Sequence, residues 1–172
     1  MKQQHGFTLI ELMVTLAVLT IVLTVGVPNF QNFMLKHRIS TAANTLIGAL
    51  NLARSEAIKR GSDVKMIRLG NGAWEGGWQI QSASSGEIIR TYAPTSQLTI
   101  LTGSNYQNWI GFHPNGLPFS GGSLANDTFK ICSKNGRSTI NGRSIFVSRL
   151  GRTRSVESSC QLSLTPEAPD TE

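Results

Sequence analysis

The chain reads as an α+β protein in which one long N-terminal helix, membrane-spanning over its first half, packs on a C-terminal antiparallel β-rich globular head. Three observations predict this. Residues 7–27 form a 21-residue run with a single charge, Glu11. The following stretch, to Arg60, repeats its apolar positions at threes and fours. After Gly61 the chain breaks into short β-branched and aromatic segments separated by turn residues.

About 20 apolar residues cross a bilayer as a helix, so residues 7–27 are long enough to span one. Gly26 and Pro28 are expected to weaken or kink the helix where it leaves. A secretory signal peptide accounts for the basic start at Lys2 but not for the rest, because no small-x-small cleavage site follows the apolar run. A plain anchor leaves Glu11 unexplained. A carboxylate at the centre of a membrane helix costs about 2–3 kcal/mol on insertion scales, and a partner cation in an assembled state would offset that. The charges on either side, Lys2 against Lys36 and Arg38, do not settle orientation.

Beyond Pro28, the residues Phe30, Phe33, Met34, Ile39, Ala42, Ala43, Leu46, Leu50, Ala53, Ala57 and Ile58 recur with helical spacing. Lys36, Arg38, Asn44, Arg54 and Lys59 lie between them. This predicts an amphipathic helix over 28–60, stopped at Gly61. Joined to the membrane half it makes one helix of about 54 residues, roughly 80 Å long. Its apolar stripe is read as the spine on which the head packs.

From Ser62 onward the alternation is strand-like over 63–69, 77–81, 86–92, 97–101, 109–113, 128–133 and 143–150. Gly70-Asn71-Gly72, Pro114-Asn115-Gly116 and Asn135-Gly136 supply turn chemistry. With no helical pattern between them, these segments favour antiparallel over parallel pairing. The expected organisation is a leader at 1–6, a membrane half at 7–27, an amphipathic half at 28–60, a head at 61–156 and a tail at 157–172.

Composition narrows the function classes. Of 172 residues, 40% are apolar and 15% charged, which excludes a disordered polyelectrolyte. Three histidines without a cysteine or carboxylate cluster leave little for a metal site, and no cofactor is expected. Ser, His and Asp show no nucleophile-elbow spacing, so no enzyme is expected. His37 reads as a helix-surface residue and His113 as a turn residue.

Gly6-Phe7-Thr8-Leu9-Ile10-Glu11-Leu12 resembles the processing site of type IV pilins and type II secretion pseudopilins. The resemblance implies that a prepilin peptidase cuts between Gly6 and Phe7 and that the new N-terminal Phe7 is methylated. Glu11 would then pair with the terminal amine of a neighbouring subunit, the cation its burial calls for. It also implies a type IV pilin-like fold, residence in the bacterial inner membrane with the head in the periplasm, and later assembly into a pilus at the cell surface. The partners implied are prepilin peptidase, membrane lipid and other major and minor pilins.

Asn51-Leu52-Ala53-Arg54-Ser55-Glu56-Ala57-Ile58-Lys59-Arg60 resembles the helix end of the GspH/FimT branch, and the 109–119 stretch with Phe112, Pro114 and Gly116 is similar to it. Taken singly, Arg54, Glu56 and Arg60 read as solvated helix residues, Glu56 and Arg60 being four apart. Cys132 and Cys160 would face the oxidising periplasm. They form no Cys-x-x-Cys motif, and are expected to make a structural bridge contributing roughly 3–4 kcal/mol.

The net charge of +6 is local. Residues 128–156 contain Lys130, Lys134, Arg137, Arg143, Arg149, Arg152 and Arg154 and no acid, leaving nine basic and ten acidic residues elsewhere. Arginine pairs bidentately with phosphate and stays charged, and clustered cations bind polyanions by releasing counterions. By strand parity Ile145, Val147 and Arg149 share one face, while Arg152 and Arg154 take the other. A break at Gly151 would gather the three arginines on one loop edge.

Arg149-Leu150-Gly151-Arg152-Thr153-Arg154 also resembles the C-terminal Gly-Arg-x-Arg motif of FimT minor pilins. That resemblance implies capture of double-stranded DNA in natural transformation, with Arg152, Arg154 and Arg149 as contacts and Lys134, Arg137 and Arg143 flanking them. No aromatic residue lies between Arg149 and Arg154, so base stacking is not indicated there, and the expected contact is to the backbone. The rival is a minor pseudopilin of type II secretion, GspH-like, that acts through pilin contacts alone.

Overall fold

The computed structural model describes residues 8–70, 73–95, 98–121, 123–124, 127–134 and 141–160. Helix α1 runs Leu9–Arg60. Thr8 caps it, its Oγ accepting from the backbone N–H of Glu11 at 3.3 Å. Glu11 therefore stands in the first turn, where the positive end of the helix dipole favours a carboxylate, and not at a helix centre. The spacing Thr8-x-x-Glu11 is that of a capping box.

Within the first compact unit, which ends at Leu35, most of the described large apolar side chains are exposed, Met34 and Leu35 being intermediate. Leu9 to Leu23 face outward wherever the residue is large and apolar, as do Val27, Phe30 at 63% and Phe33 at 62%. The helix is long and apolar enough to cross a membrane. Its hydroxyls suit that setting. Thr15, Thr20 and Thr24 each donate to a carbonyl one turn back, those of Leu12, Leu16 and Ile21, at 2.8 Å. Pro28 lies inside the helix without ending it, because a proline removes one N–H donor and leaves the flanking turns intact.

The second unit starts at Lys36. Here α1 buries Ile39, Ala42, Ala43, Leu46, Leu50, Ala53 and Ala57, as the spacing predicts, and also Ala49, which the stripe left out. Burying each leucine contributes roughly 1.5–3 kcal/mol. Ile58 departs from the stripe and is exposed, as are Phe30 and Phe33 in the preceding unit. Gly61, at φ 60°, closes α1. The N–H of Ser62 reaches back to the carbonyl of Ala57 at 3.3 Å, the longer bond of a Schellman cap.

Ten strands follow among the described residues: β1 Val64–Arg68, β2 Trp78–Ser82, β3 Ile88–Tyr92, β4 Leu98–Thr102, β5 Trp109–Phe112, β6 Pro118–Ser120, β7 Ser123–Leu124, β8 Asp127–Ser133, β9 Gly142–Val147 and β10 Thr153–Ser158. They form a six-stranded sheet ordered β3-β2-β1-β5-β6-β7 and a four-stranded sheet ordered β10-β9-β8-β4. Every pairing is antiparallel. Val64, Met66, Trp78, Ile80, Ile110 and Phe112 of the larger sheet and Ile100, Phe129, Ile131, Ile145 and Val147 of the smaller one are buried.

An aromatic trio adds to this core. Tyr106 stacks on Phe129 at 5.5 Å and Trp74 meets Phe129 edge-on at 5.1 Å. The indole Nε1 of Trp74 donates to the carbonyl of Tyr106 at 2.7 Å. Asp127 holds the loop that carries Tyr106, its Oδ2 accepting from the N–H groups of Asn105 and Tyr106 at 2.8 and 3.0 Å.

Several expectations are revised. The strand expected over 143–150 stops at Val147, because Arg149 and Leu150 form a turn. β6, β7 and β10 were not legible: β6 and β7 are too short for alternation to show, and β10 is the polar segment Thr-Arg-Ser-Val-Glu-Ser. A 3₁₀ turn, Trp74–Gly76, interrupts the strands. His113 is more than a turn residue. Its Nδ1 lies 2.9 Å from Asp63 Oδ1, and its ring stacks on Phe119 at 4.1 Å.

Candidate nucleic-acid interface

β9 and β10 are joined by Ser148, Arg149, Leu150, Gly151 and Arg152. The backbone N–H of Ser148 donates to the carbonyl of Arg152 at 2.9 Å, and that of Gly151 to the carbonyl of Ser148 at 2.8 Å. The N–H of Arg152 donates to Ser148 Oγ at 3.2 Å. Gly151 adopts φ 74°. This is a three-residue hairpin loop closed by a left-handed residue, a conformation that favours glycine. Glycine is needed there for a second reason. A Cβ on Gly151 would strike the carbonyl oxygen of Gly116.

The loop is tied to α1. Arg54, half-buried, donates from Nε to the carbonyl of Gly116 at 3.0 Å and from Nη2 to the carbonyl of Leu150 at 3.1 Å. Thr153 Oγ1 donates to Asn51 Oδ1 at 3.4 Å. Arg54 is thus not the solvated helix residue that its spacing suggests. It joins the turn at Gly116 and the hairpin loop to the helix. The local reading holds for its neighbours: Arg60 Nε meets Glu56 Oε2 at 2.8 Å, and Arg60 Nη1 meets Glu87 Oε2 at 3.0 Å. The hydrogen bond from Arg60 holds the Glu56 carboxyl below its ordinary range.

Arg149, Arg152 and Arg154 are all exposed. Arg154 pairs with Phe146, and Thr128 of β8 lies on the far side of Phe146 in the same row. The adjoining row on this face runs Val156, Ser144, Lys130. The opposite face carries Ile145 and Val147 into the core. Arg143 belongs to that opposite face. It is paired with Ile131, is half-buried, and its Nη1 reaches Ser155 Oγ at 3.5 Å. Alternation alone separates it from Arg154. Lys134 is exposed just past β8. Arg137, Gly6 and Phe7 lie outside the described residues.

Cys132 and Cys160 are bridged, with Cα atoms 5.8 Å apart. The bond passes from β8 to the end of β10 across β9 at Gly142. A Cβ there would meet both sulfurs and the carbonyl of Ile131. Ser144 Oγ donates to Ser158 Oγ at 2.7 Å beside it. The basic hairpin is therefore held at one end by Arg54 and at the other by the disulfide. Phe146, 39% exposed, escapes the linear reading because it stands before the turn while the arginines stand after it. The strand parity that separates it from Ile145 and Val147 was the available signal. Among the described residues no group of His, Cys, Asp and Glu is arranged to hold a metal ion.

The chain matches the family of type II transport protein GspH over residues 42–151 and the prokaryotic N-terminal methylation motif over residues 1–27. A fimbrial protein of Pseudomonas aeruginosa is 34% identical over 64 residues, 37% of this chain and 41% of its own length. A probable minor fimbrial protein of Dichelobacter nodosus is 35% identical over 75 residues, 44% of this chain and 44% of its own length. The chain thus spans about two-fifths of the length of these curated relatives. The crystal structure of the type IV minor pilin FimU of Pseudomonas aeruginosa superposes with a TM-score of 0.60 at 26% identity, over 75% of this chain and 99% of that one. The minor pseudopilin EpsH from the type 2 secretion system of Vibrio cholerae shares the fold, with a TM-score of 0.53 at 14% identity over 70% and 97% of the two chains. The matched GspH stretch takes in Arg54, Gly116 and Arg149 and ends before Arg152 and Arg154.

Proposed function

The chain belongs to the GspH family of type IV minor pilins and pseudopilins, and we propose that within it this protein is a minor pilin that binds extracellular double-stranded DNA without sequence preference, supporting DNA uptake in natural transformation. The observation that carries the reading is the β9–β10 hairpin. It presents Arg149 and Arg152 exposed on its loop and Arg154 exposed on β10, and it is anchored by Arg54 and the disulfide. An anchored backbone spares the ordering of the loop on meeting phosphates, and guanidinium groups stay charged throughout. Lys134, expected to flank the contact, lies past Cys132 at the disulfide end of β8, whereas the loop adjoins the Asp127 end, so it stands apart from the three arginines. Arg143, on the other face, does not belong to the contact. The protein performs no chemistry of its own in this reading.

Membrane anchoring follows from the apolar half of α1 and the family. The finer steps are part of the proposal: prepilin peptidase cuts between Gly6 and Phe7, Phe7 is methylated, and lipid holds the helix with the head in the periplasm. On assembly, Glu11 pairs with the terminal amine of a neighbouring pilin. Substituting Glu11→Ala should spare membrane insertion and impair incorporation into the filament. Normal incorporation would remove Glu11 from that role.

The DNA reading is tested with the mature chain in detergent, by anisotropy of a labelled duplex across salt concentrations. Binding should be in the micromolar range and salt-sensitive. The variant Arg152→Gln/Arg154→Gln should weaken it and reduce the salt slope by about one per lost phosphate contact. Arg143→Gln should leave it unchanged. If the parent ignores duplex at low salt, the alternative stands: a pseudopilin of type II protein secretion acting through pilin contacts only, a reading that the GspH match favours.

A further inference from the structure

We propose that Phe146 gives the basic hairpin a stacking platform for nucleic-acid bases, so that the surface takes unpaired bases as well as backbone phosphates; this rests on the DNA-binding reading above. The placement is unusual for a large aromatic side chain. Along β9, Ile145 and Val147 are buried, whereas Phe146 is turned to the outer face and is 39% exposed. Its strand partner is Arg154. Directly paired residues hold their Cβ atoms about 4.5–5.5 Å apart, so the ring and the guanidinium share one row. Arg152, exposed, immediately precedes β10 in the hairpin loop, and Lys130 lies in the adjoining row on the same face as Phe146.

The composition of the patch identifies the occupant. An isolated exposed phenylalanine needs no explanation. One set beside Arg154 and near Lys130, in a segment with no acid between residues 128 and 156, repels basic partners and faces polyanions. A polyanion that also offers flat apolar faces is a nucleic acid with accessible bases. Channels for single strands are built that way, from a cationic track and an aromatic on which a base stacks, without sequence preference because every base has a π-face. In duplex DNA the bases are already stacked, so the ring engages only ends, gaps and single strands. The cations engage all of them.

The experiment uses the mature chain in detergent with three labelled probes of equal length: an oligothymidylate, an abasic strand with the same phosphates, and a duplex. The parent should bind oligothymidylate more tightly than the abasic strand. Phe146→Ala should lose roughly tenfold on oligothymidylate, with little change on the abasic strand or the duplex and an unchanged salt slope. Phe146→Trp should retain the binding and Phe146→Leu should not. The ring is 39% exposed, so Phe146→Trp and Phe146→Leu, which keep most of its packing, should unfold near the parent's temperature. Phe146→Leu thus separates loss of stacking from loss of packing. Unchanged oligothymidylate binding by Phe146→Ala overturns the inference, as does an equal loss on all three probes. In either case duplex binding by the parent leaves the DNA reading standing. A parent that binds no probe at low salt sinks both.

Discussion

The guanidinium of Arg54, in the last third of α1, donates to the carbonyl oxygen of Leu150 at 3.1 Å across 96 residues of chain. With its second bond, to Gly116, it fixes a surface loop to the C-terminal part of α1. Charge-assisted bonds of this kind contribute about 1.5–3 kcal/mol each, less where solvent reaches them. Arg54→Ala should therefore lower head stability by about 1–3 kcal/mol, read from the denaturant midpoint. Arg54→Lys should recover only part, since an ammonium lacks the fork that reaches two carbonyls. The same variants should weaken duplex binding though Arg54 is remote from the phosphates, because the loop loses its support. Unaltered stability in Arg54→Ala would show that the loop holds itself.

Gly151 and Gly61 both adopt left-handed backbone, at φ 74° and 60°. Only Gly151 is crowded, by the carbonyl of Gly116 and by Arg54, whereas Gly61 has open space where a Cβ would sit. Alanine at Gly61 should cost about 1–2 kcal/mol, the ordinary penalty of left-handed backbone. Alanine at Gly151 should cost clearly more and should displace the loop. Equal midpoints for the two variants would contradict the packing described for Gly151.

The disulfide closes a 28-residue separation. In the chain-entropy account its removal should cost roughly 3–4 kcal/mol. A shift of that size is expected in the denaturant midpoint of Cys132→Ser/Cys160→Ser and, equally, of the reduced parent. Gly142→Ala should approach the same loss, since its methyl group would collide with both sulfurs. A reduced protein as stable as the oxidised one would contradict this.

Tyr106 is buried, and burial first, then the nearby charge of Asp127, raises its phenol above the ordinary value. The folded state therefore holds this proton more tightly than the unfolded chain does. The corresponding stability is complete below about pH 10, the unfolded value, and declines as pH rises above it. Unfolding free energies measured across that range should fall, and Tyr106→Phe should remove much of the slope. A parent whose stability is flat through alkaline pH would refute it.

Much of the fold was legible because its periods are local. The stripe from Ile39 to Ala57 is a one-dimensional pattern, and seven strands announce themselves by alternation between turn residues. Of the strands that escaped, Thr153–Ser158 is polar and lies at a sheet edge, where one flank needs no apolar partner, and β6 and β7 are too short for alternation to show. For the candidate site, residue type and charge were legible and geometry was not. Arg149, Arg152 and Arg154 stand out as a cluster in the linear chain, as does Arg143. The sheet then sends Arg143 to the opposite face, because a change of one in strand position reverses the side chain.

What the sequence by itself determined is whatever depends on neighbours within a few residues: the apolar run with Glu11, the amphipathic spine, the turn chemistry and the acid-free basic segment. Tertiary structure alone decided which distant groups meet. It joined Arg54 to Leu150 and Gly116, drew the disulfide over Gly142 and set Phe146 opposite Arg154. These contacts link residues tens of positions apart or reach across a turn. They exist only once burial of the core has fixed the register of the strands, and no local periodicity encodes them.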